Sequence, residues 1–267
     1  MQSPKRVTTG VPGLDAMLSG GFLPQTTNLV EGAPGCGKST LGMQFIYEGT
    51  QRGEPGIILT CEQFPQQFYR DAASFGWDFH ELERRNLLRI VMSSPEVTQA
   101  DLERVGGTLE RIITEMGAER ILIDSITHFE AATRDPHESG QPDTQSAALR
   151  GHIYGMLNAL KRQGLTTLLT RETTFLLGEG DDNQVDSGIR FMTDSYILLR
   201  YVEIESEVRR AIIILKVRGS AHDRLIRQFE IGPQGMRILN PFEGQEGIMS
   251  GTPKRMAESF IKAFVRR

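Results

Sequence analysis

A glycine-rich segment near the amino terminus has the spacing of a phosphate-binding loop. Residues 32–39 read Gly-Ala-Pro-Gly-Cys-Gly-Lys-Ser and match G-x-x-x-x-G-K-[ST], in which glycines let backbone N–H groups turn toward a polyphosphate. An apolar segment precedes the motif and an amphipathic one follows it, which argues against an accidental glycine-rich turn. The motif therefore predicts ATP and Mg²⁺ binding, with Lys38 at the β- and γ-phosphates and Ser39 at the metal. The loop residues expected at the nucleotide are Gly35, Cys36, Gly37, Lys38, Ser39 and Thr40.

Two carboxylates stand directly after apolar segments that are typical of buried strands. Asp124 ends the segment Arg120–Asp124, and Glu62 follows residues 56–61. Ligands of open α/β sheets lie at the carboxyl ends of strands, so Asp124 is expected to orient hydrated Mg²⁺ and Glu62 to act as general base. The alternatives are a turn-capping carboxylate and a surface carboxylate, respectively. The predicted Mg²⁺ ligands are Ser39, Glu62 and Asp124.

Two cations alternate along a strand-like segment nearer the carboxyl terminus. Lys216 and Arg218 are two residues apart, which puts both side chains on one face of a strand, where they could grip one anion together. They are candidates for arginine-finger-type residues. A solvated strand edge with charges that prevent aggregation is the alternative. The predicted catalytic residues are Lys38, Glu62, Asp124, Lys216 and Arg218.

The elements that must position these residues follow from the alternation of apolar and amphipathic segments. This alternation predicts an α/β fold with a mainly parallel, twisted sheet and helices on both faces, and the three strand-like segments after Asp194 predict an antiparallel extension. The predicted strands are residues 26–30, 56–61, 88–92, 120–124, 165–170, 195–202, 210–217 and 225–231. The predicted helices begin after the glycine-rich loop and cover residues 65–75, 101–116 and 147–163.

Length and composition narrow the class of protein. The 267 residues suit one domain, which we assign to residues 1–247. Residues 248–267 form a basic amphipathic tail, and its pattern predicts a helix from residue 253. This helix would either pack on its own assembly or dock a partner. The net charge of −4 leaves no chain-wide basic field for nucleic acid or anionic lipid. No apolar run approaches the roughly 18 residues of a membrane span, and no signal peptide is recognisable, so a cytoplasmic protein is expected.

The cysteines and most histidines show no pattern of a metal site. Cys36 and Cys61 have neither metal-ligand spacing nor the arrangement of a disulfide framework, which fits a reducing compartment. The histidines that receive no role are His80, His128, His137 and His152.

The order of the loop, Glu62, Asp124 and the paired cations resembles the KaiC family of RecA-like ATPases, over nearly the whole chain. Residues 83–90 and 197–256 look closest to the second ATPase half of the cyanobacterial clock protein of that family, which suggests a single-domain relative. The segments that carry the resemblance are Thr9-Gly-Val-Pro-Gly-Leu-Asp15, Gly20-Gly21-Phe22, Ser74-Phe-Gly-Trp-Asp78, Ile123-Asp-Ser125, Tyr201-Val-Glu203, Lys216-Val-Arg-Gly-Ser-Ala-His222 and Ser250-Gly-Thr-Pro253.

The resemblance implies a RecA-like P-loop NTPase fold and a hexameric ring with ATP held between neighbouring subunits. Ser74 and Phe75 would then flank the adenine or ribose, with Phe75 in place of a tryptophan. The residues implied to reach the nucleotide of the next subunit are Lys216, Val217, Arg218 and His222, with Arg210 and Ser220 nearby.

Two departures from the family pattern bear on activity. Glu62 is followed by Gln63 where the family has paired glutamates, so hydrolysis is expected to be slower or differently regulated. Arg190 and Phe191 align with the serine and threonine that the clock protein phosphorylates, and neither carries a hydroxyl. Autokinase activity at these positions is therefore unsupported, although Ser187, Thr193 and Ser195 keep a weaker version open.

Three functions remain as hypotheses. The favoured one is a ring-forming ATPase whose nucleotide state is read by an unidentified partner protein. A serine/threonine kinase or autokinase that uses the same site is the first alternative. A DNA-binding ATPase is the second, and it is disfavoured because the segments 133–144 and 178–188 are acidic and would repel phosphates.

Overall fold

The computed structural model describes residues 5–104, 106–132, 142–173, 188–204, 206–242, 245–246 and 254–255. Helices and strands alternate along most of these residues. The helices are α1 (Leu14–Met17), α2 (Lys38–Gln51), α3 (Pro65–Ser74), α4 (Phe79–Arg84), α5 (Pro95–Glu103), α6 (Thr108–Met116), α7 (Ile126–Ala132), α8 (Pro142–Arg162) and α9 (Ile189–Met192). The strands are β1 (Thr27–Gly32), β2 (Gly56–Thr60), β3 (Leu88–Met92), β4 (Arg120–Asp124), β5 (Thr166–Glu172), β6 (Ser195–Ile204), β7 (Glu207–Val217), β8 (Arg227–Gly232), β9 (Gly235–Pro241), β10 (Gln245–Glu246) and β11 (Lys254–Arg255).

Nine of these strands form one sheet in the order β3-β2-β4-β5-β1-β6-β7-β8-β9. Strands from β3 to β6 in this order run parallel, whereas β7, β8 and β9 continue the sheet antiparallel. The predicted mainly parallel sheet with an antiparallel extension is therefore confirmed. Because β1, β2, β4 and β5 run side by side in the same direction, their carboxyl ends meet at one edge.

Helices cover both faces of the sheet, as predicted. Successive strand residues point to opposite faces, so Val30 belongs to one hydrophobic core and Leu29 to the other. The first core contains residues of α2, α3 and α4, including Phe45 and Phe68. The second contains residues of α6, α7 and α8, including Ile113. The strands read as continuous apolar runs because both faces are buried.

The predicted single helix over residues 101–116 is wrong. The helical conformation is interrupted between α5 and α6, where Gly106 has φ 73°. The Asp101 carboxylate accepts hydrogen bonds from the backbone N–H groups of Thr108 and Leu109, both at 2.7 Å, and so caps the second helix. Helices α1, α4, α7 and α9 and strand β9 lie outside the predicted elements, and β5 extends two residues beyond its predicted end.

The carboxyl-terminal tail differs from the expected helix where it can be compared. Lys254 and Arg255 form β11, which pairs antiparallel with β10. Residues 256–267 lie outside the described residues, as do 133–141 and 174–187, which contain most of the two acidic segments. Among the described helices, none combines the length and the hydrophobicity needed to span a bilayer.

Candidate active site

The glycine-rich loop lies between the carboxyl end of β1 and the first turn of α2. Gly35 and Gly37 have φ values of 74° and 110°, a region that side-chain-bearing residues rarely adopt. A Cβ atom at Gly37 would also come within 2.7 Å of Ile231 Cδ1. Helix α2 begins without a side-chain cap, so the N–H groups of its first turn can receive an anion.

Lys38 is almost completely enclosed by the loop, with 6% of its side chain exposed. Its Nζ donates to the Ala33 carbonyl at 3.0 Å and lies 3.7 Å from the Glu172 carboxylate. Glu172 is the last residue of β5, and its backbone N–H is bonded to Thr127 Oγ1 at 2.9 Å. A buried ammonium is stabilised by such acceptors, so the lysine is held beside the loop.

The two predicted carboxylates meet Lys38 at the same edge of the sheet, because Thr60 of β2 is the register partner of Asp124 in β4. Asp124 is buried and accepts a hydrogen bond from the Thr170 hydroxyl. Glu62 has 64% of its side chain exposed, and its Oε2 lies 3.1 Å from His128 Nε2. His128, to which the sequence analysis assigned no role, therefore influences the orientation of the Glu62 carboxylate.

These groups enclose a cleft of about 280 Å³. It brings together all the predicted loop residues except Cys36, which is buried beneath the loop and whose thiol pKa is raised by that burial. The residues that line it are Pro34, Gly35, Gly37, Lys38, Ser39, Thr40, Glu62, Gln63, Asp124, Ser125, Glu172 and Ile231.

The cleft fits a polyphosphate together with Mg²⁺. Ser125 Oγ is buried beside Asp124 and has no hydrogen-bond partner among the described residues. The described residues contain no group of three His, Cys, Asp or Glu side chains that could hold a metal. Mg²⁺ typically takes one or two protein carboxylates and completes its shell with phosphates and water, so Ser39 and Asp124 suffice as protein ligands.

Lys216 and Arg218 lie at the opposite edge of the sheet from the loop. The Arg218 N–H donates to the Asp194 carbonyl at 2.8 Å, and the Asp194 N–H donates to the Thr27 carbonyl at 2.7 Å. The two cations are thus level with the start of β1, roughly 16 Å along the strand from Gly32. Burial, and then the charge of Arg218, lower the pKa of Lys216. Neither cation reaches the cleft of its own chain.

Arg210, which the resemblance implies lies near the nucleotide, is distant from these cations. Arg210 and Lys216 are six positions apart on an extended strand, which corresponds to roughly 20 Å. Arg210 pairs with Tyr201 beyond the level of Gly32, and its guanidinium lies 5.7 Å from the centre of the Tyr201 ring. The Tyr201 hydroxyl would be 3.1 Å from a Cβ on Gly35, so Arg210 belongs to the loop side of the sheet.

The remaining predicted contacts lie outside the cleft lining of the described chain. Ser74 Oγ donates to the Asp71 carbonyl at 2.6 Å, and the Phe75 ring packs 4.8 Å from that of Trp77. Ser220 Oγ accepts a hydrogen bond from Arg6 at 2.7 Å. Val217 ends β7, and His222 lies in the irregular segment between β7 and β8. Their roles toward a nucleotide stay predictions.

Arg190 and Phe191 stand at the positions where the family resemblance implied phosphorylated hydroxyls. Arg190 forms an ion pair with Glu31, the residue before the loop, and Phe191 is exposed. The neighbouring hydroxyls of Thr193 and Ser195 are buried, and Ser195 Oγ donates to Asn28 Oδ1 at 2.7 Å. In this conformation, neither hydroxyl is accessible for phosphoryl transfer, and Ser187 lies outside the described residues.

Glu172, His128 and Thr170 are site residues that the sequence did not reveal. Glu172 carries the signal already used for Asp124 and Glu62, a carboxylate at the end of a parallel strand. His128 on α7 contacts Glu62 after β2, and Thr170 on β5 contacts Asp124 at the end of β4, so both contacts depend on the packing of elements that are distant in sequence.

Known proteins are similar in sequence to this chain over most of its length. The family model for the KaiC ATPases matches residues 7–243. The circadian clock protein KaiC3 of Synechocystis sp. is 35% identical over 96% of the chain and 48% of its own length. The circadian clock oscillator proteins KaiC of Thermostichus vulcanus and Synechococcus elongatus are each 36% identical over 94% of the chain and 46% of their own length. The chain spans about half the length of these relatives, and it belongs to the KaiC family of ATPases, with their RecA-like P-loop fold.

Proposed function

We propose that the chain hydrolyses ATP with Mg²⁺ at sites shared between neighbouring copies of itself in a ring, with six subunits as the family resemblance implies. We further propose that the nucleotide state is passed to a partner protein in the cytoplasm. Family membership and the cleft geometry support the nucleotide chemistry. The acidic balance of the chain gives no support to nucleic acid as the partner.

The residues of the cleft divide the chemistry between them. Lys38 would exchange the Ala33 carbonyl and Glu172 for phosphate oxygens, while the α2 N–H groups receive the same anion. Glu62 would take the proton of the attacking water, with His128 orienting its carboxylate. Ser39 and Asp124, with Glu62 beside them, would hold Mg²⁺, which neutralises charge that develops on the phosphates.

One observation supports the proposed shared site: the loop and the two cations lie at opposite edges of the sheet. A chain therefore cannot bring Lys216 and Arg218 to its own cleft without breaking β7 away from β6. A second copy in head-to-tail contact could supply them, because such contacts join two different surfaces of the same chain. Repetition of this contact closes into a ring when the rotation allows it.

Subunit mixing tests the proposal. Glu62→Gln should bind ATP without hydrolysing it, and Lys216→Ala should be impaired because its neighbour receives no lysine. A mixture of the two should regain turnover, since a Glu62→Gln subunit offers an intact Lys216 to the intact Glu62 of the other variant. Size-exclusion chromatography with light scattering in ATP, ADP and no nucleotide measures the assembly. Absence of any gain in mixed oligomers would refute the shared site.

A further inference from the structure

Four charged side chains form a network under the glycine-rich loop, in which Glu31, Arg171 and Glu130 are buried and Arg190 is 31% exposed. Glu31 is 1% exposed and accepts hydrogen bonds from Arg190 Nε at 2.9 Å and Arg171 Nη1 at 3.3 Å. Arg171 also donates to the Glu130 carboxylate at 3.0 Å. Among the described contacts, two positive and two negative groups thus balance where a lone buried charge would be costly. The network joins β1, β5, α7 and α9.

Arg190 connects this network to the cations at the other edge of the sheet. Its backbone carbonyl accepts a hydrogen bond from Lys216 Nζ at 3.0 Å, and the same Nζ donates to the carbonyls of Phe191 at 3.1 Å and Thr193 at 2.5 Å. Arg218 also donates to the Phe191 carbonyl. The two cations are therefore held by the backbone of α9 and the turn after it.

Helix α9 has four residues and little stability of its own, because helices this short gain too few hydrogen bonds to offset nucleation. Its position must come from side-chain contacts. The Arg190 guanidinium contacts both oxygens of Glu31, and its Cζ lies 5.8 Å from the centre of the Tyr196 ring. A planar guanidinium suits such a two-point contact, whereas an ammonium makes a single one.

We propose that Arg190 is a positioning residue that fixes the α9 carbonyls through Glu31, and thereby places Lys216 and Arg218 for the neighbouring subunit. Glu31 directly precedes Gly32, so the same ion pair ties the nucleotide loop of one subunit to the cations that this subunit offers to the next. A change at one nucleotide site would then alter the adjacent site. This inference rests on the proposed shared site.

Arg190→Gln removes the charge while keeping a side chain of similar reach. We expect kcat to fall roughly 10-fold or more, since small misplacements of catalytic groups are costly, while the Kd for a fluorescent ATP analogue changes less than about threefold. Acylation of Lys216 by an amine-reactive ester, followed by peptide mass spectrometry, should become several-fold faster as the carbonyls move away. Arg111→Gln, on the exposed face of α6, is the matched control and should change neither readout.

Mixing Arg190→Gln subunits with Glu62→Gln subunits shows whether the loss of turnover arises at a subunit's own cleft or at its neighbour's. Arg190→Gln subunits keep their own loop and Glu62, so they should regain turnover when neighbours supply correctly held cations, with a gain similar to that of Lys216→Ala. If Lys216→Ala recovers in this assay and Arg190→Gln does not, Arg190 acts on its own cleft and the inference is wrong. If neither recovers in mixed oligomers, the shared site itself fails and the inference falls with it.

A conservative variant covers the case in which Arg190→Gln does not fold. Arg190→Lys keeps the positive charge but makes one contact with Glu31, so turnover and Lys216 acylation should lie between wild type and Arg190→Gln. Wild-type turnover together with wild-type acylation in the lysine variant would overturn the requirement for a two-point contact. Accelerated acylation with wild-type turnover would overturn the positioning role.

Discussion

Lys38 and Glu172 face each other across the cleft, with 3.7 Å between the lysine Nζ and the carboxylate Oε1. Glu172 therefore occupies the space beside the lysine that a phosphate of ATP would approach. Its charge is opposite to that of the lysine and the same as that of the phosphate. The carboxylate both stabilises the ligand-free lysine and opposes an approaching polyphosphate.

Glu172→Gln should strengthen ATP binding in the absence of Mg²⁺ by about 3- to 10-fold, because one repulsive charge near the phosphates is removed. With Mg²⁺ present the gain should shrink, since the metal already offsets phosphate charge. Titration with a fluorescent ATP analogue in EDTA and in Mg²⁺ measures both values. Glu115→Gln, an exposed change on α6, should have no effect. Weaker binding by Glu172→Gln in EDTA would contradict this account.

Arg210 and Arg209 form a matched pair on opposite faces of β7. Arg210 Nε is buried without a hydrogen-bond partner on the loop side, whereas Arg209 forms an exposed ion pair with Glu207. Arg210→Ala should weaken ATP binding roughly 10-fold or more, as expected for loss of a charge-assisted contact. Arg209→Ala should stay within about twofold, because surface ion pairs contribute little. Isothermal titration calorimetry compares the two, and equal losses would argue against a specific role for Arg210.

The part of the cleft formed by Lys38, Ser39, Glu62 and Asp124 was predictable because local sequence determines it. The loop motif fixes Lys38 and Ser39, and the strand-end position of Asp124 and Glu62 follows from the direction of parallel strands. The alternation of apolar segments was also sufficient to predict helices on both faces. These features need no knowledge of which strands pair.

The remaining contacts depend on which elements pack together, and the sequence alone does not show this. The predicted strand over 165–170 stopped at the charged Arg171, yet β5 continues because Arg171 is buried between Glu31 and Glu130. Glu172 was missed for the same reason. Arg210 was named together with Lys216 through the family resemblance, although an extended strand carries the two residues to opposite edges of the sheet.

The Cys61 thiol gives a pH-dependent prediction. Burial, and to a lesser extent the charge of Glu96, raise its pKa to about 11, so little thiolate exists at pH 8. Alkylation by iodoacetamide at pH 8 should be roughly 10- to 20-fold slower than for free cysteine, after allowing for the greater intrinsic nucleophilicity of a high-pKa thiolate. Because the thiolate is the reactive form, the rate should rise steadily with pH up to about 11. A plateau near pH 8.5, measured by mass spectrometry in Cys36→Ser, would contradict the raised pKa.

Arg120 gives a prediction for stability. Its side chain is 1% exposed, pairs with Glu54, and donates to the carbonyls of Thr8 at 2.7 Å and Phe45 at 2.9 Å. Arg120→Ala leaves these acceptors unsatisfied and should lower the free energy of unfolding by about 3–5 kcal/mol. Arg111→Ala should change it by less than about 0.5 kcal/mol. Urea denaturation followed by circular dichroism measures both, and similar midpoints would show that the buried contacts of Arg120 are replaceable.

If sites are shared between neighbouring chains as proposed, the placement of the loop and the Lys216–Arg218 pair at opposite sheet edges determines how many complete sites an assembly contains. An open row of n chains in head-to-tail contact would contain n − 1 complete sites, whereas a closed circle would contain n. The terminal chain of a row would hold nucleotide that no neighbour helps to hydrolyse. Turnover per chain would therefore increase with the length of a row and reach its maximum on closure, so dilution would slow hydrolysis before it releases bound nucleotide.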